Sequence, residues 1–290
     1  MRIPALLTTA LLIAAPAAAQ PSPPPKLIVA ISVDQLSSDL FDQYRPVLQG
    51  GFAKLGRGIV FPHAYQGHAA SETCPGHSTI LTGAHPARNG IIANVWYDLS
   101  QSRSDKAVYC AEDERVAGTS STTYEVSPWH LKVPTLGELM KRQWPASRTV
   151  AVAGKDRSAV MMTGQRPDQR WYWNSKTFAT DLKGSAIPQS VVSARTAVAS
   201  LVAAPQAPLE PPALCTAKAQ VVPVAGGGQP VGAGRFERAA GDLTLFRASP
   251  ALDGATLALA AGLVREMKLG ISAAPDLLVV GLSATDYVGH

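Results

Sequence analysis

The chain has 290 residues, enough for one large domain or two small ones, and 46% of them are hydrophobic. That share is typical of a globular protein with a sizeable core, and it excludes a disordered or membrane-embedded chain. The formal charge of +5 comes from 26 basic against 21 acidic residues with no dense basic run, so it indicates a solvated surface and no nucleic-acid platform.

The first twenty residues read as a secretory leader. Arg2 gives the positive start, Ala5–Ala15 the apolar run, and Ala17-Ala18-Ala19 the small residues of a cleavage site near Ala19 or Gln20. The run is too short to cross a bilayer of about 30 Å. Residues 21–25 are a stiff Pro-rich linker, and the product is expected in the periplasm or secreted. Export permits disulfides. Of Cys74, Cys110 and Cys215, the first two are the expected pair, a local staple, and the third is left over.

Lys26–Val33 (KLIVAISV) is a continuous β-branched run, expected as a fully buried strand ending at Asp34. Ser38–Arg45 reads as a short helix stopped by Pro46, and Gly58–Phe61 has strand character. Pro75–Leu81 looks like the start of a helix with Pro75 in its first turn and Thr73 just before it. Pro134–Trp144 reads as an amphipathic helix and Thr149–Ala153 as a buried strand. Residues 165–245 are expected to hold a cap or insertion, with the Ala/Pro/Gly-rich 197–234 as loops. Asp253–Leu269 is expected as a helix capped by Asp253, and Asp276–Leu282 as a third buried strand. This order predicts an α/β fold: a mostly parallel central sheet with helices on both faces, over residues 26–290. The chain stops at His290 soon after a buried strand, so it reads as the N-terminal part of a longer domain.

Ligands of such sheets bind beyond the carboxyl ends of the strands. Asp34, Lys155, Arg157 and Asp286 all follow such ends, which places them on one rim. Asp34 by itself reads more readily as an ordinary helix-capping residue of a βα turn than as a carboxylate metal ligand. Thr73, at a helix N-terminus, sits where backbone N–H groups and the dipole favour phosphate oxygens. Its hydroxyl is a poor nucleophile unless a bound cation lowers its pKa. Asp286 and His290 are spaced i, i+4, so on a helix they share a face and could bind a metal together. Lys155 and Arg157 could grip the terminal oxygens of a phosphate monoester. His63, His68, His77, His85 and His130 read as structural or surface residues, His77 as a packing residue of the Thr73 helix.

Five segments in order resemble the alkaline phosphatase superfamily, and most closely its PafA-type members with a threonine nucleophile. They are VDQ at Asp34, SETCPGHST at Thr73, GIIANVWY at Asn94, GKDR at Lys155 and Arg157, and SATDYVGH at Asp286 and His290. The resemblance implies a zinc enzyme acting on small phosphate esters through a covalent phosphothreonine. Asp34 and Thr73 would bind one zinc, Asp286 and His290 the second. Asn94, Lys155 and Arg157 would hold the phosphate. The superfamily takes an Asp-His pair and a further His from chain beyond position 290. These 290 residues are therefore expected to bind zinc weakly and turn over little. Two other readings stand beside the monoesterase: a nucleotide pyrophosphatase/phosphodiesterase on the same fold, and an inactive phosphate- or metal-binding protein. A sulfatase is excluded, because Cys74 is followed directly by Pro75 and no Arg stands three residues later.

Overall fold

The computed structural model describes residues 23–289 apart from His63 and Gly227. The expected leader and His290 lie outside the described residues. The strands are β1 (Leu27–Val33), β2 (Val95–Tyr97), β3 (Ala107–Tyr109), β4 (Thr149–Ala153), β5 (Gln169–Trp173), β6 (Phe178–Ala179), β7 (Val222–Val224), β8 (Gly228–Val231) and β9 (Asp276–Leu282). The helices begin with α1 (Ser38–Tyr44), α2 (Gly50–Leu55), α3 (Thr73–Thr82), α4 (Pro86–Asn89), α5 (Leu136–Gln143) and α6 (Asp156–Thr163). They continue with α7 (Gln189–Ala203), α8 (Ala213–Thr216), α9 (Leu243–Arg247), α10 (Pro250–Glu266) and α11 (Ala284–Gly289).

One five-stranded sheet organises these elements in the order β1-β9-β4-β5-β6. The first four strands are mutually parallel and β6 pairs antiparallel with β5. Helices cover both faces, as the strand–helix alternation predicts. Val150, Val152, Leu278 and Val280 point into a core with α7 and α10, while Ala151, Ala153, Leu277 and Val279 face Ala159 and Met162 of α6. Burial on both sides is why β4 and β9 read as unbroken apolar runs. Each large apolar side chain so buried contributes about 1.5–3 kcal/mol.

Several expectations are corrected. Among the described residues β1 lies at the sheet edge, with Val29 48% and Ile31 45% exposed, so the expected full burial is not reached within them. Its β-branched composition reports strand propensity, not position in the sheet. Residues 58–61 form no strand, and Ile59 and Phe61 are exposed. The body of the fold extends further than expected. β5 and β6 belong to the main sheet, and Val191, Val198 and Val202 of α7 enter its core. The stretch 204–242 stays outside the main sheet and carries only the short α8 and the β7–β8 hairpin. Helix α10 begins at Pro250 with Ser249 as its N-cap, so Asp253 is not its cap. A Ser-Pro pair is the stronger start signal, since serine accepts from the helix and proline lacks only an orphan N–H.

The Cys74–Cys110 disulfide joins the first turn of α3 to the end of β3 across 36 positions, leaving Cys215 as the free cysteine. A loop of that length should contribute about 2–4 kcal/mol, because its closure restricts the unfolded chain. The Cys74→Ala/Cys110→Ala protein should unfold at correspondingly lower urea, and identical midpoints would show that the bridge is dispensable.

Candidate active site

The chemistry assembles where β1, β4 and β9 end. Asp34 follows β1, and its backbone N–H donates to Leu282 O at 2.9 Å, which locks it beside the end of β9. Ser37, not Asp34, caps α1, so the Asp34 carboxylate is not consumed as a cap. Lys155 follows β4 and is 2% exposed. Its ammonium donates to Asp34 Oδ2 at 3.0 Å and to Asp286 Oδ2. Asp286 rides on α11, directly after β9. The approach is close because Gly154 leaves room: a Cβ there would stand 2.7 Å from Ser283 Cβ.

Thr73 is the first residue of α3, with Glu72 as N-cap and Pro75 in the first turn, where its missing N–H is no loss. Asn94 is tied to this helix end. Its Oδ1 accepts from Cys74 N at 2.8 Å, and its carbonyl accepts from Cys110 N at 2.9 Å. That fixes the amide orientation, with Nδ2 as the donor end. His77, one turn along α3, accounts for what the sequence reading missed. Its Nδ1 contacts the Thr73 carbonyl at 2.7 Å, and its Nε2 lies 3.1 Å from Asp34 Oδ1, off the line of a hydrogen bond. The expected packing role is incomplete, since the ring joins the threonine residue to the strand-end carboxylate. The i, i+4 spacing of Thr73 and His77 was the available signal.

Arg157 lies in the first turn of α6, half-buried. Its Nε has no partner, and among the described residues no carboxylate forms an ion pair with its guanidinium. Tyr109 supplies one contact, with Nη1 donating to its hydroxyl oxygen at 3.5 Å. Lys155 is thus neutralised by carboxylates, whereas Arg157 keeps its charge. Asp253 has a different role from the expected one: its carboxylate accepts from Ser283 N (2.9 Å) and Ala284 N (3.1 Å) and so caps the turn into α11. Burial raises its pKa, partly offset by those two bonds.

Burial by itself would raise the Asp34 carboxyl, but the neighbouring His77 and then Lys155 outweigh it and bring the pKa down to about 2. Two carboxylates converging on one ammonium mark a place suited to a cation. Among the described residues, however, no group of three or more His, Cys, Asp and Glu comes together. A catalytic zinc usually takes three protein ligands, so the site fits a metal in part. A cavity of about 360 Å³ beside Trp96, Glu114 and His130 is lined by none of the rim residues.

Residues 28–290 match the sequence model of the type I phosphodiesterase/nucleotide pyrophosphatase family. The chain belongs to that family. Within the alkaline phosphatase superfamily it is of the PafA type. It is 54% identical over 268 residues to "Alkaline phosphatase PhoK" of a Sphingomonas species, covering 92% of this chain and 48% of that protein. To "Alkaline phosphatase PhoD" of Zymomonas mobilis subsp. mobilis it is 48% identical over 267 residues, covering 91% and 46%. The chain therefore spans about half the length of these curated relatives. The crystal structure of wild-type alkaline phosphatase PafA superposes with a TM-score of 0.79 at 27% identity, covering 93% of this chain and 55% of that one. A variant of PafA substituted at one threonine, one asparagine, one lysine and one arginine superposes with a TM-score of 0.76 at 25% identity.

A carboxylate held at about 2 against an ordinary 3.8 stabilises the fold by about 2 kcal/mol when ionised. The sign follows from the depressed pKa: the contribution is complete above pH ~4 and disappears as pH falls to ~2. Metal-free Asp34→Asn protein should be less stable than metal-free wild type at pH 6, and the gap should close near pH 2. A gap independent of pH in denaturant titrations would refute this origin.

Proposed function

We propose that the intact protein hydrolyses small phosphate monoesters to inorganic phosphate with Thr73 as its nucleophile. The observation that carries this reading is the tie at the rim. One buried ammonium, Lys155 Nζ, reaches carboxylates from two strand ends, and His77 links the first of these to Thr73. The quartet substituted in the PafA variant supports it. Thr73, Asn94, Lys155 and Arg157 are the same four residue types, with the same sequence separation between threonine and asparagine and between lysine and arginine.

In this mechanism the N-terminus of α3 and the Asn94 amide hold phosphate oxygens, and Arg157 grips a further one bidentately. Thr73 Oγ1 gives up its proton and bonds to phosphorus as the ester P–O bond breaks, and the departing alkoxide takes up a proton to leave as the alcohol. Water then cleaves the phosphothreonine, returning the threonine hydroxyl and releasing phosphate. Asp34 with Thr73, and Asp286 with His290, would each hold one of two zinc ions. Zinc would supply the lowered hydroxyl pKa and charge for the leaving oxygen. Export as a periplasmic or secreted protein fits both the leader-like start and the Cys74–Cys110 bridge, which belongs to an oxidising compartment. No described helix is long and apolar enough to cross a membrane.

The family's description as phosphodiesterase and pyrophosphatase favours a second reading, cleavage of diesters. The Arg157 charge, which no carboxylate among the described residues engages, together with two zinc ions would match a dianionic monoester better than a singly charged diester with a second bulky group. The intact, zinc-loaded protein should turn over an aryl phosphate monoester faster than the corresponding diester. Thr73→Ala should lower monoester turnover more than about a thousandfold with the fold retained. Faster diester cleavage would transfer the assignment to the second reading, and near-normal activity of Thr73→Ala would remove the nucleophile.

A further inference from the structure

The GKDR turn places an acidic residue next to the proposed phosphate-gripping arginine. Adjacent Asp and Arg side chains, both half-buried, would be expected to pair, since a carboxylate accepts from a guanidinium in strong charge-assisted bonds. Here they do not. Asp156 Oδ1 accepts from Tyr109 OH at 2.8 Å, and Oδ2 accepts from Tyr124 OH at 2.8 Å. The Arg157 backbone N–H also donates to Oδ1, at 2.7 Å. The two phenol rings lean together, with centroids 4.5 Å apart. The Tyr109 hydroxyl stands between the two charges, accepting from Arg157 Nη1 at 3.5 Å while donating to Asp156.

We propose that Tyr109 and Tyr124 are positioning residues for Arg157: by occupying both oxygens of Asp156 they keep that carboxylate off the guanidinium, which stays available to a phosphate oxygen. The proposal rests on the reading of Arg157 as a phosphate ligand. Burial, with the Asp156 charge next, raises the pKa of both phenols, so both keep the proton they donate. Tyr109 is anchored to the catalytic helix. It precedes Cys110, whose disulfide partner Cys74 follows Thr73, and the N–H of Cys110 is held by Asn94. The tyrosine screen is thereby built into the same clasp that presents the threonine.

Removing both hydroxyls leaves a partly buried carboxylate short of donors, and the adjacent Arg157, whose Nε has no partner, can then satisfy it, whereas Lys155 is engaged by Asp34 and Asp286. In the intact protein, the competitive inhibition constant of inorganic phosphate should rise about tenfold for Tyr109→Phe/Tyr124→Phe, the scale of one hydrogen bond to a charged group. Adding Asp156→Asn, which removes the competing charge, should restore phosphate inhibition to within about twofold of wild type. A purely structural role for the tyrosines gives no such rescue. Arg157→Ala is measured beside them, with thermal melts to confirm folding. If Arg157→Ala weakens phosphate but the double phenylalanine variant does not, or if Asp156→Asn fails to rescue it, the inference is overturned. If Arg157→Ala leaves phosphate inhibition unchanged, the phosphate-ligand reading falls and the inference with it.

Discussion

The rim is organised around a single buried ammonium group. Lys155 reaches Asp34 at the end of β1 and Asp286 just past β9, so one cation joins what three parallel strands deliver separately. The buried ammonium offsets one of the two carboxylate charges, and His77 beside Asp34 further favours its ionised form, whereas a carboxylate left alone in that setting would be driven toward protonation. The interaction depends on the sheet order. β9 lies between β1 and β4, and only that arrangement brings residues 34, 155 and 286 within reach of one side chain. Gly154 and Ser283 pack so closely there that no larger residue fits at the turn.

A second clasp is built on the first. Asn94 accepts from Cys74 and Cys110, the disulfide joins those two, and His77 reaches from the Thr73 carbonyl to Asp34. The hydroxyl-bearing helix is therefore fixed both to the sheet rim and to the small β2–β3 ribbon. Arg157 is the counterpart of Lys155. The lysine spends its charge on carboxylates that could hold cations, and the arginine retains its charge. That division of labour suits the site proposed for a doubly charged ester.

Much of this was legible in the sequence. β4 and β9 were readable residue for residue, because a strand buried on both faces has no polar alternation to blur its ends. The order of elements gave the parallel sheet, and the positions of Asp34, Lys155 and Asp286 at strand ends predicted a shared rim. Local signals misled where two competed. Asp253 looked like the cap of its own helix, but Ser249-Pro250 starts that helix earlier and Asp253 caps α11 instead. β1 looked like an interior strand, and among the described residues it is an edge strand, a position that composition does not encode.

Thus the sequence by itself determined the α/β class, the strand-end location of the charged residues and the threonine at a helix start. Each of these follows from local periodicity, turn chemistry and chain order. Only the tertiary structure decided the partners: that Lys155 is shared by two carboxylates, that His77 bridges Thr73 and Asp34, and that two tyrosines from distant segments screen Asp156 from Arg157. Those contacts join residues up to 131 positions apart. Their geometry arises from sheet order and close packing, which no short stretch of sequence encodes.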